Sequence, residues 1–206
     1  MRTVNQTDLR PWRAVVPDSC ADWFSSLKVP WWVAGGWALD LYTGEQSRAH
    51  EDLDVGVLRA NISSVLDALS SFEVFEAKDG VLTPIQAGNA PRPDVYSLWC
   101  RPTGSLRWEV ELMLDECLGE EWVYRRCESI RRPLSSVVQR SLSGLPYLAP
   151  EIQLLYKARG MRPRDQADFD RIAPRLSRAA QTWLLQALEY AEPAHSWISA
   201  LRKRGA

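Results

Sequence analysis

The chain has 206 residues, 46% of them hydrophobic, with 25 Lys and Arg against 26 Asp and Glu for a net charge of −1. This is an ordinary globular composition and excludes a disordered or fibrous protein; at this length roughly 70% of the unfolded surface can be buried, so no staple is needed. Four scattered cysteines and two histidines exclude a disulfide scaffold, a zinc knuckle and a His-rich metal site, and no apolar run approaches the ~20 residues of a membrane-spanning helix.

The polar opening MRTVNQTDLRPWR lacks the apolar stretch of a secretory signal, which points to the cytoplasm. Charge is unevenly divided. Residues 1–145 carry 15 basic and 20 acidic groups, net −5, and residues 146–206 carry 10 and 6, net +4. An acidic front and a basic tail suggest a cleft in which cations and phosphates are both held.

Asp18 is placed to cap a helix running to about Leu27, and Trp31 to Ala34 reads as a short buried strand. Gly35-Gly36 interrupts it, and Trp37 to Tyr42 predicts a helix that ends near Gly44. Asp52 to Leu58 alternates acidic and apolar residues as a strand with one wet face, Asn61 to Leu69 predicts a helix, and Phe72 to Glu76 another strand. The Gly/Pro-rich stretch Lys78 to Asp94 predicts a mobile loop or a hairpin over a site. Val95 to Cys100 and Arg107 to Leu114 read as an antiparallel pair of strands, Trp122 to Arg126 as an extra strand, and Leu134 to Leu142 as a short helix. From Tyr147 the pattern is helical, with a helix opened by Pro150 and others over Asp165 to Leu176, Arg178 to Tyr190 and Ser196 to Lys203. The expected architecture is α+β: a mixed sheet flanked by helices over residues 1–145, then a helical bundle over 146–206.

The chemistry concentrates in Gly35-Gly36, Asp52-x-Asp54 and a later strand bearing Glu109 and Glu111. Residues two apart on a strand share a face, so each acidic pair is held close. Such carboxylates, without sulfur or a histidine cluster, suit a hard cation such as Mg²⁺. A glycine pair between strand and helix offers backbone N–H groups to phosphate. The phosphate-loop, dinucleotide and kinase signatures are absent.

Trp31 to Val57 (WWVAGGWALDLYTGEQSRAHEDLDVGV) resembles the nucleotidyltransferase superfamily related to DNA polymerase β. More narrowly, Gly-Gly-Trp-Ala-x-Asp and Arg48-x-His50-x-Asp52-x-Asp54 resemble the aminoglycoside and lincosamide nucleotidyltransferases of antibiotic resistance. The resemblance implies that Asp52 and Asp54 bind the metal ions of an incoming nucleoside triphosphate. It also implies a third carboxylate, best matched by Glu111, with Glu109 as the alternative. Tyr147 to Phe169 resembles the helical segment of related transferases and nucleotidyltransferase-type toxins, in which a lysine approaches the triphosphate, here Lys157. Asp165 and Asp168 then position helices or the Lys/Arg cluster.

What this implies is transfer of a nucleoside monophosphate, AMP from ATP, to a hydroxyl, with two Mg²⁺ ions held by Asp52, Asp54 and Glu111. Glu111 also serves as proton acceptor, Gly35 and Gly36 cradle phosphate, Arg48 and Lys157 add charge at the leaving group, and His50 orients the loop before Asp52. The acceptor expected is a small molecule, an amino sugar or related antibiotic. The net −5 of the front favours a polycation and disfavours nucleic acid, no membrane is involved, and a homodimer is compatible with the resemblance. Two alternatives remain open: a toxin modifying a protein or tRNA through the Arg162/Arg164/Arg171 group, and a non-catalytic nucleotide-binding module.

Overall fold

The computed structural model describes residues 11–86 and 88–205, so most of the polar opening lies outside the described residues. A first helix, α1 (Asp18–Trp23), precedes β1 (Trp31–Val33), α2 (Gly35–Thr43), β2 (Leu53–Leu58) and α3 (Ile62–Ala68). The strands β3 (Phe72–Lys78), β4 (Val81–Pro84), β5 (Ser97–Pro102) and β6 (Val110–Leu118) follow, then the short β7 (Glu121–Val123), β8 (Arg131–Pro133), β9 (Val138–Arg140) and β10 (Pro146–Leu148). The chain then runs through α4 (Pro150–Ala158), α5 (Pro163–Ile172), α6 (Arg178–Ala191) and α7 (Ser196–Gly205).

The mixed sheet has the order β4-β3-β5-β6-β2-β1-β10-β9, with β7 and β8 continuing from the far end of β6. Two parallel pairings, β2 with β6 and β1 with β10, sit at its centre, and the flanking pairs are antiparallel. The β2–β6 register sets Asp54 opposite Glu111 and Gly56 opposite Met113. The expected α+β arrangement is observed, with β10 inside the sheet just past residue 145.

One core joins sheet and helices, from Leu39, Val55 and Leu112 to Leu155, Phe169, Leu188 and Trp197. At about 25 cal/mol per Å² of apolar surface, each such residue stabilises the fold by about 1.5–3 kcal/mol. A satellite cluster of Phe75, Leu82 and Trp108, with Trp12 and Trp99 against it, closes the β3–β4–β5 end. Trp108 and Trp122 are buried packing residues.

Three sequence expectations need correction. Asp18 is the first residue of α1 rather than its cap, and that helix ends at Trp23 rather than near Leu27. Leu134 to Leu142 is not a helix: after one 3-10 turn, Val138–Arg140 becomes β9, because Pro146–Leu148 offers it an antiparallel partner. The Lys78 to Asp94 stretch begins as the second strand of the β3–β4 hairpin at the sheet edge, tied down by Lys78–Asp94 and Arg92–Glu76 ion pairs. None of its described residues lines the cleft described below. No helix among the described residues is long and apolar enough to cross a membrane.

Candidate active site

A cleft of about 380 Å³ opens between the face of β1, β2 and β6 and the helices α4 and α5. On its floor Asp52, Asp54 and Glu111 each offer a carboxylate oxygen, all within 4.8 Å of one another. Asp52 lies one residue before β2, Asp54 is on it, and Glu111 is on the neighbouring strand. Burial and the charges of Glu111 and Asp52 push the Asp54 carboxyl well above its ordinary range. Glu111 is raised too, chiefly by burial and further by Asp52, although a 2.6 Å hydrogen bond donated by Ser97 Oγ works against the rise. Three oxygen ligands whose burial and mutual repulsion Ser97, Lys157, Arg164 and Arg125 offset only in part fit a hard divalent cation.

Glu109, the alternative third carboxylate, stays out of this cluster. It precedes β6, is buried, and lies 3.3 Å from the Arg13 guanidinium.

Both glycines are required by close approach. Gly35 has φ +64°, and a Cβ there would stand 1.9 Å from Asp54 Oδ2. A Cβ on Gly36 would stand 2.4–2.6 Å from His50 and Arg48. The pair therefore lets both the acidic strand and the loop before it pack against the first turn of α2, whose N–H groups and dipole favour an anion. The Gly35 N–H is already engaged, donating to Gln153 Oε1 at 2.7 Å, which leaves Gly36 as the glycine amide available to a phosphate.

Arg48 lines the cleft, with its Nε buried and without a protein partner among the described residues. His50 is engaged outside the acidic triad: its Nε2 is 2.6 Å from Asp40 Oδ2 and its ring lies tilted against Trp37, with centroids 4.3 Å apart. Asp40 also accepts hydrogen bonds from Ser47 Oγ and Arg171. Burial raises the Asp40 carboxyl, but the bonds from His50 and Ser47 outweigh this and hold it below its usual value.

Lys157 lines the opposite wall, buried, with its ammonium 2.8 Å from Asp168 and 3.3 Å from Asp165. Those aspartates thus hold the cationic cluster, Asp165 also pairing with Arg162 and Asp168 approaching Arg171. A continuous chain, Lys157–Asp168–Arg171–Asp40–His50, runs from the basic wall to the loop bearing Asp52.

Sequence reading missed Trp32, Ser97, Asp115, Arg125, Arg126 and Gln153. Asp115 was legible in principle, as the third member of the alternation Glu111, Met113, Asp115 on one face of β6. Gln153 and the arginine pair carry no local signal, since only the return of α4 and the β7–β8 connection brings them to the cleft.

The model of the aminoglycoside-2''-adenylyltransferase family matches residues 18–91. A lincosamide resistance protein of Staphylococcus haemolyticus is 38% identical over 48 residues, 23% of this chain, and the match spans only 30% of that relative's length. The crystal structure of the lincosamide antibiotic adenylyltransferase LnuA, lincomycin-bound, superposes with a TM-score of 0.52 at 17% identity, covering 82% of this chain and 96% of that one. ANT(2'')-Ia in complex with adenylyl-2''-tobramycin overlays more loosely, TM-score 0.43 at 15% identity over 92% and 95% of the two chains. The chain therefore resembles the antibiotic nucleotidyltransferases in sequence around its glycine and aspartate motif, and it has the nucleotidyltransferase fold.

Proposed function

We propose that this protein is an enzyme that transfers a nucleoside monophosphate, AMP from ATP, to a hydroxyl of a small antibiotic of the aminoglycoside or lincosamide kind. The observation that supports this best is the convergence of Asp52, Asp54 and Glu111 within 4.8 Å, beside a glycine-led helix start and under a basic wall. Residues 1–145 supply the carboxylates and the helix start, and residues 146–206 supply Lys157, Arg159, Arg162 and Arg164.

Asp52, Asp54 and Glu111 would hold two Mg²⁺ ions, which when bound supply charge neutralisation on the triphosphate and a lowered acceptor pKa. The acceptor oxygen attacks the α-phosphorus in line, its O–P bond forming as the bond to pyrophosphate breaks. Glu111, oriented by Ser97, takes the hydroxyl proton. Gly36 in the first turn of α2 and Arg48 bind phosphate oxygens, and Lys157, fixed by Asp165 and Asp168, faces the leaving pyrophosphate. His50 orients the 45–52 loop through Asp40. We place the reaction in the cytoplasm, where ATP is supplied; sedimentation of the purified chain decides between monomer and homodimer.

The test is pyrophosphate release from ATP and Mg²⁺ across aminoglycosides and lincosamides, with Asp54→Asn as blank. Acceptor-dependent release that vanishes in the variant supports the reading. Silence across the panel refutes it.

A further inference from the structure

Several charges of residues 1–145 are matched outside the cleft, where Glu73, Glu76, Glu109 and Glu116 are ion-paired with Arg101, Arg92, Arg13 and Arg59. Within the cleft Lys157 and Arg162 are paired as well, with aspartates of α5. Arg125 differs from all of these. It lines the cleft half-buried, and its guanidinium makes no hydrogen bond or ion pair with any described residue. It is held instead by two aromatic rings, 5.2 Å from the centroid of Tyr96 and 5.6 Å from that of Tyr156. Such contacts fix a cation without neutralising it.

The rings and the chain that carry Arg125 are themselves tied down. Tyr156 donates a 2.7 Å hydrogen bond to Asp115, and its carbonyl accepts one from Arg126 at 2.9 Å. The Tyr96 carbonyl accepts from the Leu114 N–H at 3.0 Å, and the next residue, Ser97, is the one that donates to Glu111. The connection between β7 and β8 is closed by bonds from the Tyr124 N–H to the Ile130 carbonyl and from the Cys127 N–H to the Tyr124 carbonyl, both 2.9 Å. Much of the entropy cost of ordering a long side chain is therefore met before any ligand arrives.

Arg125 belongs to one flank of the triad. The strand order β5-β6-β2-β1 sets Tyr96 and Ser97 beyond Glu111, on the side away from Asp54. The charges that favour an ionised Asp54 are those of Lys157 and Arg164, whereas for Glu111 the charge is that of Arg125. An in-line displacement puts the attacking oxygen opposite the leaving group. With pyrophosphate at Lys157 and the first turn of α2, the acceptor reaches Glu111 from the Arg125 flank. An anionic group there would face the carboxylates of Glu111 and Asp115, whereas a neutral oxygen takes the guanidinium's N–H donors without that repulsion.

We infer that Arg125 orients the acceptor, its planar fork donating to an oxygen on the carbon beside the hydroxyl that Glu111 deprotonates. The acceptor class is then a vicinal diol or alkoxy-alcohol, such as a sugar presents, chosen by its oxygens rather than by its charge. This rests on the nucleotidyl-transfer reading and assigns the acceptor side of its site.

The test combines calorimetric binding and steady-state pyrophosphate release on the full chain, with lincomycin and tobramycin as acceptor probes and α,β-methylene-ATP with Mg²⁺ as the nucleotide probe. For whichever acceptor the nucleotide-loaded wild type binds, Arg125→Gln should weaken binding at least tenfold and raise KM by a similar factor, with nucleotide-analogue affinity within twofold. Arg125→Lys keeps the charge without the fork and should still bind the acceptor at least fivefold more weakly than wild type. Tyr96→Leu removes one of the two rings from outside the cleft and should weaken the acceptor at least threefold, which keeps the test informative if Arg125→Gln misfolds. Acceptor affinity within twofold of wild type in Arg125→Gln overturns the inference. So does full recovery in Arg125→Lys, which would make charge the determinant, and so does nucleotide-analogue affinity that falls together with the acceptor's, which would give Arg125 to the triphosphate. The two claims separate cleanly: release with an acceptor KM indifferent to Arg125 keeps the function and sinks the inference, and Arg125-dependent binding without release does the reverse. Binding of neither probe to the nucleotide-loaded chain overturns the inference.

Discussion

Asp54→Asn removes one charge of the triad at nearly constant volume, and its consequences follow from the spacing of the three carboxylates. With oxygens within 4.8 Å, each pair repels by about 3 kcal/mol at an effective dielectric of about 20 and by about 1 kcal/mol in water. Asp54 takes part in two of the three pairs. Proton uptake relieves part of this repulsion, so without metal the variant should be more stable than the wild type by about 1–3 kcal/mol, or about 2–10 °C in Tm for a chain of this size. Its turnover should fall about 100-fold or more, because the lost carboxylate charge is one that would hold the cations that neutralise the reacting phosphates. The pH dependence carries a definite sign. Asp54 and Glu111 are raised above their ordinary values, so the metal-free fold is most stable with both protonated and loses that stability as pH rises through their folded-state values. Mg²⁺ binding competes with the protons, so its stabilisation should grow with pH, reaching about 2.7 kcal/mol at a hundredfold excess over Kd. Thermal melts at several pH values, with and without Mg²⁺, check all of this. A variant that melts lower without metal, or that keeps the full Mg²⁺-induced rise, would refute the placement of the cation.

Gly35→Ala combines a left-handed backbone with a Cβ 1.9 Å from Asp54 and should cost about 2 kcal/mol and abolish turnover; Gly44→Ala, equally left-handed but open around its Cβ, should cost about 1 kcal/mol and leave kcat intact. Similar kcat losses in both would show that strain, not crowding of Asp54, is responsible. Arg171→Met strips Asp40 of a 2.8 Å partner and should destabilise by about 3 kcal/mol in urea unfolding and lower kcat; a loss under about 0.5 kcal/mol, the size of an ordinary surface change, would dismiss the buried chain as a support. Burial pushes the Asp115 carboxyl up to about 6. Stability from its protonated form is present at acid pH and lost as pH rises through that value, so Asp115→Asn should gain about 3 kcal/mol relative to wild type between pH 4 and pH 8. A difference that stays flat with pH would place the carboxyl at its ordinary value.

Some of this is legible in the sequence because it is written in local rules. Trp31 to Val57 reads correctly as strand, glycine turn, helix and acidic strand since a period-two pattern, a glycine pair and a left-handed Gly44 act over a few residues each. Leu134 to Leu142 shows the limit. Its sequence LSSVVQRSL suits a short amphipathic helix as well as a strand, and pairing with Pro146–Leu148 decided the matter from outside the segment. Glu109 and Glu111 have the same parity, so alternation cannot choose between them; Arg13, far away in sequence, removes Glu109, and the β2–β6 register delivers Glu111 to Asp54.

Charge is the clearest case of information that a sequence holds only as a sum. The front segment's acidic excess predicts a field at long range, yet what a bound molecule meets within a few ångströms is set by which charges have partners. The same reasoning applies to the two halves of the chain. The helical region does more than cover the cleft: Gln153 on α4 accepts the Gly35 N–H, and Arg171 on α5 neutralises Asp40, which holds His50 and through it the loop before Asp52. Were residues 1–145 to fold alone, Asp40 would lose that cation and Gly35 its acceptor, and the triad would rest on a less constrained turn. Chemistry that tolerates errors of only about 1 Å in the placement of reacting groups requires both segments at once, because the groups that fix Gly35 and Asp40, and through Asp40 His50, come from α4 and α5.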